Sequence, residues 1–221
     1  GDCAQSCRWS YNLYAEEKNN PGQFMPVESN ENGTSIFSSK DLCLVKEIPE
    51  IIGMGVDSLK IEGRLKTEYY VASVVNAYRT AIDDYMKDPE NYDYAKYLNE
   101  LEKVKTRPFT TFYFNDRKNE DIQDFSGKQY NDKYEFGGKI IDAKKEKTVI
   151  EIKNKLTVGD TLEILKPGQF EPIEFKIEQL WDYETGEEID FVSPGVKGQK
   201  VLMNIPVKCE NNWIMRRKKS N

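Results

Sequence analysis

The sequence predicts a mixed α/β region followed by an all-β domain. Three observations support this prediction: a strand–helix–strand pattern over residues 34–62, an amphipathic helix over residues 67–87, and short alternating segments from residue 138 onward. The chain has 221 residues, which is enough for two domains. Its apolar fraction of 38%, with 13 Tyr and 10 Phe, can form buried cores and excludes a disordered chain.

The first half of the chain predicts a parallel sheet. Residues 34–38 are β-branched and apolar, which predicts a strand, and Ser39 or Asp41 can cap a helix that follows. Pro49 suits the first position of a helical turn, and Gly53 is typical of a helix end. Residues 56–61 predict a second strand. A strand–helix–strand unit of this length implies that its two strands are parallel.

The second predicted strand has one apolar and one polar face. Because side chains alternate along a strand, Leu59 and Ile61 share one face, and Lys60 and Glu62 share the other. Arg64 follows the strand after a single glycine. One interpretation is a half-solvated edge strand. The other is a barrel strand that delivers polar side chains to the C-terminal rim, where barrel enzymes have their active sites.

Two helices and a polar segment follow. Residues 67–87 have apolar side chains at spacings of three and four, and residues 93–104 predict a second, more polar helix. Residues 115–133 are polar, and their length indicates a linker. We therefore expect one domain over residues 1–114 and another over residues 134–221.

The second domain has the two-residue period of β-strands. Five segments predict strands: residues 138–143, 148–153, 161–165, 173–177 and 200–205. Several short strands separated by glycine-containing turns are typical of a small β-barrel or sandwich, and we expect it to fold independently from about Tyr134 onward. Residues 216–219 are four consecutive positive charges, which predict a mobile basic tail.

The composition excludes several classes of function. The chain contains no His, so Ser-His-Asp, Cys-His and His-ligated zinc sites cannot be built from it alone. A formal net charge of −6 excludes a globally basic nucleic-acid binder but allows a local basic patch. No stretch approaches the roughly 18 apolar residues of a membrane span, and we expect a cytoplasmic protein. The chain begins within a polar, Cys-containing segment. We therefore expect a piece of a longer protein, and an open half-barrel would favour a homo-oligomer.

Three of the four cysteines are candidate metal ligands. Cys3 and Cys7 could ligate an iron–sulfur cluster or zinc, or they could be two free thiols. Cys43 is predicted near the N-terminus of the first helix, a position that favours the thiolate form. If residues 34–62 form part of a barrel, Cys43 lies at the same rim as Lys60. Cys209 follows the last predicted strand, and we interpret it as a structural residue.

Three blocks of sequence resemble the peptidase U32 family, also called collagenase-like proteases. They are GDCAQSCRW at residues 1–9, SSKDLC at residues 38–43 and GVDSLKIEGR at residues 55–64. The resemblance extends through the β-rich end and covers essentially the whole chain, which is similar to the C-terminal half of the family. It implies the C-terminal part of a (β/α)8-type barrel, followed by a small β-barrel similar to the second domain of translation elongation factors.

The resemblance also implies a function. The members closest in pattern are bacterial tRNA hydroxylation proteins, which use prephenate to make 5-hydroxyuridine, and several members hold a [4Fe–4S] cluster on four cysteines. By motif, Cys3 and Cys43 match two of these ligands, and Cys7 matches a cysteine that only some members have. The other two ligands would lie upstream, so we expect no cluster bound to this part alone.

Three functions are therefore considered for the chain. The first is an RNA-modifying enzyme with tRNA or another RNA as partner, in which Lys60, Glu62 and Arg64 are the candidate catalytic residues. Arg64 at a barrel rim could bind a carboxylate or phosphate in bidentate fashion, through two guanidinium N–H groups. The second is a peptidase that acts on a peptide substrate, as the family name implies. The third is an inactive substrate-binding module.

Overall fold

The structure is a computed structural model that describes residues 10–19, 21–22, 24–30, 33–35, 39–115, 133–143, 146–195 and 198–219. The chain divides into two compact units. The first comprises Gly1–Cys43 and Thr106–Tyr130, and the second comprises Leu44–Lys105 and Asn131–Asn221. Among the described residues, no helix is both long enough and apolar enough to cross a membrane.

The described residues of the first unit form three pairs of short strands. They are β1 (Tyr14–Glu16) with β2 (Phe24–Pro26), β3 (Glu28–Asn30) with β4 (Gly33–Ser35), and β5 (Asp41–Leu42) with β6 (Phe109–Thr110). The β5–β6 pair is parallel, and the other two are antiparallel. The Arg107 side chain donates through Nε to Asp41 Oδ1 at 3.0 Å, which fixes the start of the parallel pair.

The predicted first strand and helix start differ from the structure. Gly33–Ser35 is a strand, but residues 36–38 lie outside the described residues. Neither Ser39 nor Asp41 caps a helix. Asp41 begins β5, and the first helix starts seven residues later, with Glu47 at its N-cap. The Asp41 carboxylate accepts from the Arg107 backbone N–H and side chain, so it stabilises the strand pair and not a helix end.

The helices of the part of the chain that the structure describes belong to the second unit. They are α1 (Ile48–Gly53), α2 (Glu68–Lys87) and α3 (Tyr94–Leu101), with a short 3-10 helix over Pro89–Asn91. The predictions for α2 and α3 are confirmed. Each has a side-chain N-cap: Thr67 accepts from the N–H of Tyr70, and Asp93 accepts from the N–H of Ala95.

The strand predicted over residues 56–61 is wrong in this structure. Residues 56–63 have no regular secondary structure, and none of the described residues pairs with them. A β-strand forms only where a neighbouring strand accepts and donates its backbone hydrogen bonds. The alternation of apolar and polar residues therefore indicates a two-faced segment but does not provide a pairing partner.

A curled, half-barrel sheet of eight antiparallel strands forms most of the second unit. The strands are β7 (Tyr134–Asp142), β8 (Thr148–Ile152), β10 (Thr161–Leu165), β11 (Ile173–Lys176), β12 (Leu180–Asp182), β13 (Glu188–Ile189), β15 (Lys200–Met203) and β16 (Ile214–Lys218). Their spatial order in the sheet is β11-β10-β16-β7-β8-β15-β12-β13. A separate pair joins β9 (Leu156–Thr157) to β14 (Phe191–Val192). The core on the inner face is aliphatic, with Ile140, Ile150 and Leu162 fully buried.

All five predicted strands of this region are present, but the predicted mobile tail is wrong. Residues 214–218 form β16, which lies between β7 and β10 in the middle of the sheet. Arg216 is fully buried there. Two arginines in a row concealed the strand, because sequence patterns treat a charge as a solvent-exposed position unless a buried partner is known.

Candidate functional site

The segment that carries the three candidate catalytic residues lies on the surface of the second unit. Lys60, Glu62 and Arg64 are all exposed. Glu62 Oε1 accepts from the backbone N–H of Arg64 at 2.8 Å, which holds the two residues in one local turn. The guanidinium of Arg64 extends from this turn, where an anionic ligand could reach it.

The apolar face of the same segment packs toward helices, as the alternation predicts. Leu59 and Ile61 line a cavity of about 360 Å³ together with residues of α1 and α2. Lys60 and Glu62 do not line it. Residues 59–62 therefore separate their apolar and polar side chains even though they form no strand, whereas Asp57 and Ser58 line the cavity as well. A catalytic role for Lys60, Glu62 and Arg64 stays a prediction.

The candidate cluster ligands are described only in part. Cys3 and Cys7 lie outside the described residues. Cys43 is buried directly after β5, and its backbone N–H donates to the carbonyl of Thr110 at 2.9 Å. It precedes α1 by five residues, so the predicted position at a helix N-terminus is wrong. Cys43 belongs to the first unit and Lys60 to the second, and their sharing of one rim stays a prediction.

Cys209 lies in the aliphatic core of the sheet. Burial raises the pKa of its thiol, although a hydrogen bond with Thr148 opposes that change. A protonated thiol in a core is a packing group, because thiolate is the form that binds metals. The location agrees with a structural interpretation of this cysteine.

The sequence did not reveal a buried ionic cluster between the helices and the sheet. Arg216 of β16 donates through Nη2 to Glu100 of α3 at 3.0 Å and through Nε to Glu163 of β10 at 2.7 Å. Burial alone would lower the pKa of Arg216. The hydrogen bonds and charge of Glu100, with Tyr69 and Glu163, raise it overall. Tyr69 of α2 donates its own hydroxyl to the carbonyl of Lys103 at 2.7 Å. This ion-pair cluster joins α2, α3 and the sheet.

The fold and these residues define a mixed α/β protein with a helix pair packed on a curled antiparallel sheet and a cysteine-containing block at its N-terminal end. The chain belongs to peptidase family U32. The model of that family matches residues 1–124, and the model of the family's C-terminal domain matches residues 132–216.

Curated relatives share much of the sequence. The chain is 38% identical to tRNA hydroxylation protein P1 of Bacillus subtilis over 86% of this chain and 44% of that protein. It is 29% identical to tRNA hydroxylation protein P of Escherichia coli over 97% of this chain and 54% of that protein. An uncharacterized protease of Methanocaldococcus jannaschii is 36% identical over 75% of this chain and 40% of that protein. The chain thus spans about half the length of the curated relatives it matches.

Proposed function

We propose that the chain is part of an enzyme that hydroxylates a uridine of tRNA. The observation that supports this most directly is the 38% identity to a tRNA hydroxylation protein over 86% of the chain. The absence of His is compatible with this chemistry, because a redox reaction on a nucleobase does not need a histidine-based nucleophile. We further propose 5-hydroxyuridine as the product and prephenate as a co-substrate, which the family resemblance implies.

The experiment is a gain of function in cells. The full-length protein is expressed in a bacterial strain whose tRNA lacks 5-hydroxyuridine, and the nucleosides of digested tRNA are separated by mass spectrometry. We expect 5-hydroxyuridine or its derivatives to appear with the full-length protein and not with residues 1–221 alone. An unchanged nucleoside profile with a well-expressed, folded full-length protein would contradict the proposal.

We propose that the full-length protein holds a [4Fe–4S] cluster with Cys3 and Cys43 among its ligands. The burial of Cys43 fits this group, because a cluster ligand is protected from water and cysteine thiolate is its usual donor. When bound, the cluster would supply redox chemistry. Neighbouring residues of this chain would shield it, and the Cys43 backbone is already fixed by Thr110.

Iron content and the visible spectrum test this ligand assignment. In full-length protein purified without oxygen, Cys3→Ser and Cys43→Ser should each lose the brown colour and most of the iron. Cys209→Ser is the matched control and should keep both, because Cys209 lies in the core of the sheet. Full iron content after Cys43→Ser would remove that residue from the ligand set.

A peptidase is the second candidate, favoured by the name of the protease relative from Methanocaldococcus jannaschii. A hydrolase needs a nucleophile with a base or a metal-bound water. This chain has no His, so it cannot supply a Ser-His or Cys-His pair by itself. A colourless full-length protein that cleaves a peptide and leaves tRNA unchanged would favour this function over hydroxylation.

We also propose an assignment of the two units within the whole protein. The parallel β5–β6 pair supports a place in a (β/α)8-type barrel, because parallel pairs occur mainly in such α/β folds. The eight-stranded antiparallel sheet would be the barrel that the family resemblance relates to the second domain of elongation factors. A structure of the full-length protein would test both assignments.

A further inference from the structure

A groove of about 910 Å³ lies in the second unit between α2 and the outer face of the sheet. Its floor is aliphatic: Val71 and Val75 of α2 face Leu165 and Ile214 of the sheet. Val71 and Val75 are 37% and 45% exposed, so the floor is open to solvent. A cavity of this size can hold a group as large as a nucleobase with its sugar.

Cationic side chains surround this apolar floor. Lys66, Arg79, Lys139 and Lys166 line the groove, against three carboxylates, Glu68, Asp83 and Asp84. The groove therefore has an excess of one positive charge (4 − 3) in a chain whose net charge is −6. Lys166 lies over the ring of Trp213, 6.0 Å from its centroid, and among the described residues no carboxylate forms an ion pair with it.

The positive charge continues from the groove across the sheet. Lys139, Glu151 and Lys200 are register neighbours on β7, β8 and β15, so their side chains share the outer face. Lys153 donates to Glu151 at 2.8 Å. The pKa of Glu151 is lowered, first by this hydrogen bond and also by the charges of Lys139 and Lys200. One carboxylate thus lies among three lysines.

An aromatic side chain lies at the far end of this row. The ammonium of Lys200 is 5.2 Å from the centre of the Tyr183 ring, and Tyr183 is 36% exposed. Counted together, the groove and the row contain six cationic and four acidic side chains, an excess of two positive charges. An apolar groove, a line of lysines and an exposed aromatic ring are the features that bind single-stranded nucleic acid without reading its sequence.

We propose that this surface binds a single-stranded segment of the RNA substrate, with a base in the groove and phosphates on Lys139, Lys166 and Lys200. This inference rests on the proposed function, because it assumes that the substrate is RNA. The aliphatic floor contacts the flat face of the base, and Tyr183 stacks on a second base. An acidic peptide would satisfy the lysines but would leave the groove floor and Tyr183 without a matching group.

Salt-dependent binding tests the charged part of the surface. The probe is a fluorescent single-stranded oligouridylate, with an oligoglutamate of equal charge as competitor. The triple variant Lys139→Gln, Lys166→Gln, Lys200→Gln should bind at least tenfold more weakly. Its slope of log Kd against log salt should fall by about 2, or about 0.7 for each lost phosphate contact. Oligoglutamate should compete poorly with oligouridylate.

A matched triple variant is the control: Lys87→Gln, Lys176→Gln, Lys208→Gln removes three exposed lysines from outside the surface. It should keep the affinity and slope of the unaltered chain. Because Lys139 also pairs with Glu68, its loss can lower the unfolding midpoint, so the urea unfolding curve of each triple variant must show that it is fully folded under the binding conditions. Equal slopes for the two triple variants, or equal competition by oligoglutamate, would overturn the proposal.

Two further substitutions test the groove and the ring. Val75→Glu places a carboxylate on the groove floor and should weaken oligouridylate binding about tenfold, whereas Val158→Glu adds the same charge at a similarly exposed valine elsewhere and should not. Tyr183→Ala should weaken oligouridylate binding about fivefold or more. Equal binding by the two valine variants, or no binding by the unaltered chain, would overturn the RNA surface. Neither result would contradict the hydroxylation proposal, because the nucleoside profile of tRNA tests that proposal separately and does not depend on where the RNA binds.

Discussion

Arg216 shows how a single residue can determine the packing of several elements. It is fully buried, with Glu100 and Glu163 as its partners, and the three side chains come from α3, β10 and β16. Burying charges costs free energy that only close opposite charges and hydrogen bonds offset. The cluster therefore favours one arrangement of helices on the sheet, because any other arrangement leaves a buried charge without its partner.

Removing the central charge should strongly destabilise the chain. Arg216→Leu leaves the buried carboxylate of Glu100 with Lys103 as its remaining ion-pair partner, and the half-buried carboxylate of Glu163 without Arg216. We expect the free energy of unfolding to fall by about 3 kcal/mol. Urea denaturation at neutral pH measures this. Arg79→Leu is the control, because the Arg79–Asp83 pair is exposed and should contribute less than about 1 kcal/mol.

A further variant distinguishes the effect of leaving the carboxylates without Arg216 from the effect of removing the whole ionic cluster. Arg216→Leu combined with Glu100→Leu and Glu163→Leu removes all three charges, and it should recover most of the lost stability. If Arg216→Leu alone cost less than about 1 kcal/mol, the carboxylate of Glu100 would have to be hydrated in the folded state, contrary to its burial.

Glu62 and Arg64 lead to a different expectation because both are exposed. In the full-length protein, Arg64→Ala or Glu62→Gln should lower the turnover of the proposed hydroxylation by about a hundredfold, on the order of 3 kcal/mol of transition-state stabilisation. Thermal stability should hardly change, since neither side chain contributes to the core. Turnover and melting temperature are measured on the same preparations. If the melting temperature fell and turnover decreased only in proportion to the folded fraction, Glu62 and Arg64 would instead have a structural role.

At the scale of the elements, helices and strands that bury one apolar face were predictable from the sequence. Elements that depend on a partner distant in sequence were not. The five alternating segments and α2 were predicted because apolar side chains repeat at the spacing of a strand or a helix. Residues 56–61 have the same alternation, but they form no strand, because strand formation also needs a neighbour. Conversely, β16 was missed because Arg216 becomes a buried residue only through Glu100 and Glu163, which are distant in sequence.

The site was predictable to a lesser degree for the same reason. The family resemblance made Cys43 a candidate, and the alternation of side chains before Gly63 made Glu62 and Arg64 candidates; their roles stay predictions. The row of Lys139, Glu151 and Lys200 could not be found in this way. Its members lie on three different strands, and only the register of β7, β8 and β15 brings them together.

The close approach of β7 to its neighbour β8 depends on a glycine. A Cβ on Gly138 would lie 2.8 Å from the carbonyl oxygen of Glu151 and 2.8 Å from Cγ2 of Ile150. Since the first of these is backbone of the neighbouring strand, Gly138→Ala must displace the strand pair. We expect a loss of about 1–3 kcal/mol in the free energy of unfolding.

A second glycine provides the matched control for that measurement. Gly53, at the end of α1, has no atom within 4 Å of its hypothetical Cβ and no positive φ. Gly53→Ala should therefore be neutral or stabilise the chain by a few tenths of a kcal/mol, because alanine reduces the freedom of the unfolded chain. Equal effects of the two substitutions in urea denaturation would show that the β7–β8 pair adjusts without cost.

At the scale of the whole molecule, the second unit is assembled from two separate stretches of the chain. Residues 44–105 supply the helices, and residues from 131 onward supply the sheet. Among the described residues, the contacts that join them include an ion pair of Arg216 with Glu100, another of Lys139 with Glu68, and a hydrogen bond from Asn76 to the carbonyl of Gln169. The sheet thus shares its buried charges with the helical stretch. This modifies the expectation that the region from Tyr134 onward folds independently, which still awaits a test.

Limited proteolysis followed by gel filtration tests this assembly. We expect the first cuts between Asn115 and Lys133, in the polar segment predicted to be a linker, most of which lies outside the described residues. The two fragments should nevertheless elute together in native buffer, because α3 supplies Glu100 to the buried Arg216. They should separate in urea, and Arg216→Leu should make them separate in native buffer. Fragments of the unaltered chain that separate without denaturant would show that the sheet is complete without the helices. First cuts inside residues 138–205 would instead count against a stable sheet.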